Sequence, residues 1–187
     1  MTAHFKIKIS SASDGQSNMK KYLMLLIMVI SLINQANAQS TERIILDVGN
    51  TRHEFGDYRG AIEAFTLALE VNPQFALAYN NRGISKAMMG NDEGAIEDFT
   101  RSLEINENYE PAFLNRAASK YNTGNYYGAI EDYGKVIEMD PENPIAWYGR
   151  GISHLQIKYF IGACEDFNTA LELGYYLVED LIEEHCR

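Results

Sequence analysis

The chain has 187 residues, of which 46% are hydrophobic and 22% charged, and its formal net charge is −10. That length and mixture suit one globular domain with a sizeable core. The acidic balance argues against a nucleic-acid surface, which needs clustered Lys and Arg.

In chain order, residues 1–18 form a polar stretch that reads as an extension, with Met19 as the expected start. Residues 19–38 read as a signal peptide. Lys20-Lys21 precede an apolar run over 22–33, and Ala36-Asn37-Ala38 then offers small residues two apart before Gln39. A retained membrane anchor is the alternative, but the run is about a dozen residues where a bilayer span takes roughly 20. The expectation is cleavage after Ala38 and export to a bacterial periplasm or beyond, with no stable membrane span in the mature chain. Cleavage makes that chain more acidic still, because the leader holds Lys6, Lys8, Lys20 and Lys21 against Asp14.

From Glu42 onward the sequence repeats. Ala61-Ile62-Glu63-Ala64-Phe65, Ala95-Ile96-Glu97-Asp98-Phe99, Ala129-Ile130-Glu131-Asp132-Tyr133 and Ala163-Cys164-Glu165-Asp166-Phe167 begin 34 residues apart. Counting units from Glu42, Ala76, Glu110 and Pro144, aromatic Tyr79, Phe113 and Trp147 fall at position 4. Gly49, Gly83, Ala117 and Gly151 fall at position 8, the four alanines at position 20, and Pro73 and Pro141 at position 32. Small residues at positions 8 and 20 let two helices approach closely, and Ala61, Phe65, Ala68 and Leu69 have the spacing of one helix face. Gly56-Asp57, Gly90-Asn91 and Gly124-Asn125 pair a helix-ending glycine with an N-capping side chain. Lys158-Tyr159 replaces that pair, so the fourth turn should differ.

This pattern resembles the tetratricopeptide repeat family over about Glu42 to Tyr175. The resemblance implies an all-α, right-handed solenoid of helical hairpins, with repeats at 42–75, 76–109, 110–143 and 144–175. Helices are predicted over roughly 41–54, 58–71, 75–89, 92–105, 109–123, 126–139, 143–157 and 160–173. A ninth, from about Tyr176 to His185 within 176–187, has one apolar and one acidic face, which suits a capping helix.

Position 7 holds Val48, Arg82, Arg116 and Arg150, and position 23 holds Ala64, Asp98, Asp132 and Asp166. Arg and Asp are lost together in the first repeat. An anionic-ligand ladder would not need that joint loss, whereas a partly buried Arg without its carboxylate is costly. Pairing within each repeat is therefore expected. Cys164 lies before the Gly174 turn and Cys186 after it, at similar distances, so a disulfide that ties down the cap is expected. Two unpaired thiols are the alternative. No His/Cys cluster has metal-ligand spacing, no acid–base constellation or phosphate loop emerges, and no cofactor or enzymatic activity is expected.

The concave groove remains. The family's groove positions place Asn50, Leu77, Asn80, Ile84, Met88, Leu114, Tyr121, Asn122, Ile145, Tyr148, Ile152 and Leu155 there, with Leu46 among the first repeat's contributions. Some family members grip a peptide carboxylate with Lys and Arg. Asn50 and Asn81 match two asparagines of that clamp, but Leu46, Pro111 and Asn115 stand where its cations would be. An apolar, amide-rich groove suits a protein or peptide partner. The alternative is a structural or self-associating subunit of an envelope complex.

Overall fold

The structure, a computed structural model, describes residues 12–186. Two units divide at Thr41 and Glu42. In the first, residues from Ala12 onward are helical, and the apolar side chains from Leu23 to Ile33 are exposed. No helix among the described residues is long and apolar enough to cross a membrane. The side chains of the expected extension at 1–18 lie outside the described residues.

The second unit is built from four helix pairs and a C-terminal cap. The helices are α1 (Ala12–Glu54), α2 (Tyr58–Val71), α3 (Ala76–Met88), α4 (Asp92–Ile105), α5 (Glu110–Asn122), α6 (Tyr126–Met139), α7 (Pro144–Gln156), α8 (Phe160–Glu172) and α9 (Glu179–His185). A 3₁₀ turn, Tyr176–Val178, leads into α9. The sequence predicts a first helix beginning near residue 41. The observed α1 starts at Ala12, and no proline interrupts it up to Glu54. The predicted capping helix is shorter than expected, because its first turn is 3₁₀ with Val178 buried beneath it.

The hairpins form for the reasons legible in the repeat. Gly56, Gly90 and Gly124 adopt φ near +80°, which other residues rarely do. Asp57, Asn91 and Asn125 then accept from the backbone N–H of Gly60, Gly94 and Gly128. The fourth turn keeps the same path with Lys158 at φ +60° and without a side-chain cap at Tyr159. The core runs as a line of interlocked aromatics and small residues. Phe65, Phe99 and Phe167 are fully buried. A Cβ added at Gly83 would lie 2.7 Å from Phe99, and one at Gly151 would lie 2.6 Å from Phe167. In the third repeat Ala117 takes the glycine's place, and the Tyr133 ring lies against Gly149 of the next repeat instead. Each B helix packs on the A helix that follows it, and α8 packs on the 3₁₀ turn and α9.

Candidate functional site

Arg82, Arg116 and Arg150 meet Asp98, Asp132 and Asp166 within their own repeats. Arg82 donates from Nε and Nη2 to the two Asp98 oxygens at 2.9 and 2.7 Å, and Arg116 does the same to Asp132 at 2.8 Å each. Arg150 Nη2 donates to Asp166 at 2.6 Å. The bidentate fork is the strong form of this interaction. The hydrogen bond to Asp98, opposed by burial, raises the Arg82 guanidinium's pKa further above its ordinary value. All three guanidiniums are engaged by carboxylates of their own repeats.

The assembly is larger than a pair. Lys86 and Lys120 place Nζ 2.8 Å from Asp98 and Asp132. In the fourth repeat His154 occupies the same position, with Nδ1 3.0 Å from Asp166 Oδ2 but off the line a hydrogen bond needs. Each arginine also sits over the aromatic of position 4: Arg82 over Tyr79, Arg116 over Phe113 and Arg150 over Trp147, at 5.4, 5.5 and 4.8 Å. Finally, Arg82 and Arg116 donate from Nη1 to Thr66 and Thr100 of the preceding repeat, at 3.1 Å each. The joint between repeats is therefore fastened by the same side chain that fastens the hairpin. Position 11 was readable as a signal, because Arg52, Lys86, Lys120 and His154 are cations or a cation-former 34 residues apart.

The concave face divides into two chemistries. Over the first three repeats a chain of amides runs Asn115 to Asn80 to Asn81 to Asn50. Asn115 Nδ2 donates to Asn80, Asn80 Nδ2 to Asn81, and Asn81 Nδ2 to Asn50, at 3.1, 3.1 and 2.8 Å. His53 Nδ1 lies 2.9 Å from Ser85 Oγ beside it. Asn50, His53, Glu54, Phe65, Asn81 and Ile84 line a cavity of about 260 Å³. Asn80, expected on the groove surface, is 3% exposed and serves as an internal link of the chain. Leu46 is likewise buried in the first hairpin's core. Asn80 accepts from Asn115 of the next A helix, and Leu46 belongs to the core cluster of Ala61, Phe65 and Ala78.

The second half is aromatic and aliphatic. Leu114 and Tyr121 pack against the third repeat's core, and Tyr148, Ile152 and Leu155 against the fourth's. Tyr148 stacks on Tyr175 with centroids 4.9 Å apart, and Gln156 Nε2 donates to the Tyr121 hydroxyl at 3.3 Å. Burial raises the Tyr148 pKa, with Tyr175 and Tyr121 adding to it. Leu77, Met88 and Ile145 are exposed, and exposed Asn122 donates to Asp92 at 3.1 Å. At the far end Cys164 and Cys186 are joined by a disulfide with Cα atoms 5.5 Å apart. Among the described residues no group of three His, Cys, Asp or Glu could hold a metal ion.

Comparison with known proteins agrees with this architecture. Models described as tetratricopeptide repeats match residues 43–75 and 76–109, and one described as TPR repeat matches 119–158. No curated protein matches by sequence. Among solved structures, a crystal structure of MamA protein is 25% identical with a TM-score of 0.67, covering 71% of this chain and 72% of that one. The first TPR of Spaghetti (RPAP3), bound to the HSP90 peptide SRMEEVD, is 22% identical with a TM-score of 0.61, covering 62% and 92%. The Sgt2 TPR domain from Aspergillus fumigatus is 24% identical with a TM-score of 0.60, covering 63% and 79%. This chain carries tetratricopeptide repeats stacked as an α-solenoid.

Proposed function

We propose that the chain is an exported adaptor that holds an extended segment of a partner protein in its concave groove. The observation that carries this reading is the division of the groove. Directed amides occupy one half, an apolar and aromatic shelf the other, and the arginines are withdrawn into the joints. Asn50, Asn81 and Asn115, part-exposed and held in register through buried Asn80, suit the alternating donors and acceptors of a peptide main chain. The shelf from Leu114 to Leu155 suits large apolar side chains, whose desolvation supplies most binding energy. The RPAP3 structure was solved with a peptide bound, which supports the same use of the fold. A ligand anchored by a terminal carboxylate is disfavoured, since Leu46, Pro111 and Asn115 stand at the clamp's basic positions. Export rests on the basic pair, apolar run and Ala36-Asn37-Ala38 of the leader.

Selection from a random-peptide display library tests this. Enriched peptides should carry aromatic or branched apolar residues and should not depend on a terminal carboxylate. They should fail to be retained by Tyr148→Glu and Leu155→Glu variants whose helical circular dichroism is unchanged. Enrichment that survives both substitutions refutes the groove as the site.

A further inference from the structure

The free face of the first hairpin lacks the Arg–Asp pair that each later repeat carries. In repeats two and three, positions 7, 11 and 23 carry an ionic network that reaches back to the preceding repeat, and repeat four keeps the Arg150–Asp166 pair. In repeat one those positions are Val48, Arg52 and Ala64. A solenoid end that faces water is normally made polar. Here Ile44, Val48 and Leu67 are 65%, 45% and 49% exposed. A hollow of about 320 Å³ lined by Ile44, Val48, Arg52, Glu63 and Leu67 among others opens on this face, and one of about 510 Å³ along α1 is lined by Ile44, Asp47, Val48, Thr51 and Arg52.

The patch has two ridges. Ile44, Val48 and Arg52 follow one another at four-residue steps on α1, and Glu63, Leu67 and Val71 do so on α2, which runs the opposite way. Each ridge is apolar except for one charge at the hairpin-turn end. Those charges are opposite and underused. Arg52 Nη1 donates to the Gly60 carbonyl at 3.2 Å, and its contact with Glu63 is a long 3.9 Å with both side chains largely exposed.

We infer that this end is a dimer interface that receives the same end of a second copy of this chain, with the two-fold axis parallel to the helices. That operator lays α1 of one copy antiparallel on α2 of the other and keeps turn end against turn end. Arg52 then meets Glu63 of the second copy, twice by symmetry, while Val48 meets Leu67 and Ile44 meets Val71. The product is an antiparallel four-helix arrangement, a self-complementary isologous contact. The opposite rotation, with the axis across the helices, would set Arg52 against the apolar ends and waste both charges. The concave grooves are not part of this contact, so the dimer is bivalent for whatever they hold.

Sedimentation of the full chain in mild detergent, which masks the exposed run from Leu23 to Ile33, tests the association. A dimer is expected. Arg52→Glu should weaken it at least about tenfold, and Arg52→Glu with Glu63→Arg should restore it. Leu67→Glu should abolish it. Mixing a Val48→Cys chain with a Leu67→Cys chain should give a disulfide-linked pair between the two, and neither chain alone should link as efficiently. Library peptides should bind the groove of every variant, which separates this test from that of the groove. A monomeric wild-type chain, a dimer indifferent to Arg52→Glu, or failure of the double swap overturns the proposal and assigns the face to another protein or to residues before Glu42.

Discussion

Asp132 accepts from Arg116 Nε and Nη2 and faces Lys120 Nζ, and its own side chain is almost fully buried. Removing that carboxylate strands two part-buried cations, so Asp132→Ala should cost about 3–5 kcal/mol, measured by urea unfolding. The first repeat shows the compensated alternative. With Val48 and Ala64 in place of Arg and Asp, its remaining cation, Arg52, keeps the Gly60 carbonyl and a long contact with Glu63. Arg116→Val together with Asp132→Ala copies that arrangement and should be less destabilising than Asp132→Ala alone; a larger loss in the double variant would contradict this account of the joint. Tyr133 makes a second prediction. Burial pushes its phenol up to about 12, above the ordinary value near 10. Its contribution to stability is fully present below pH ~10 and is lost as pH rises to ~12, since only the unfolded state ionises in that window. The loss should be about 2–3 kcal/mol and should vanish in Tyr133→Phe. The Arg–Asp partnership was legible from residue co-occurrence. The stacking of Tyr79, Phe113 and Trp147 on the arginines, and the entry of Lys86, Lys120 and His154, were legible only as periodic columns whose physical use needed geometry.

At the scale of elements, the C-terminal seal is the least self-sufficient part of the fold. α9 spans Glu179–His185, shorter than any helix that is stable alone in water. It is held by Val178, Leu181 and Ile182 packed beside Phe167 and Ala170, and by the disulfide across 22 residues of chain. Closing a loop of that size contributes about 3 kcal/mol against the unfolded chain. Cys186→Ser should therefore speed hydrogen exchange in α9 and the outer turns of α8 while leaving α2 to α6 unchanged. Equal protection with and without the bond would show that packing alone retains the cap. Helix positions from α2 to α8 were legible to within about a residue, because glycine turns, Asx caps and the 34-residue period agree. Two ends were not. Nothing local stops α1 at residue 41, and the 3₁₀ entry to α9 follows from burying Val178, a tertiary cause.

For the whole molecule, the sequence pattern placed groove positions but not their accessibility. Asn80 and Leu46 fall on the groove's columns, yet both are buried, whereas Met88 and Ile145 are exposed. The division between an amide half and an aromatic half also needed the structure, since the Asn115–Asn80–Asn81–Asn50 chain joins residues from successive repeats. That division is the observation on which the proposed holding of an extended peptide rests. The most direct test is the affinity of a display-selected peptide for the wild-type chain, for Asn81→Ala and for Tyr148→Ala, read by calorimetric titration. Loss of the linking amide should weaken binding about tenfold, and loss of the aromatic shelf residue should weaken it more, by roughly 30-fold or above. Unchanged affinity in both variants, with folding intact, would contradict the groove as the place where this protein holds its partner.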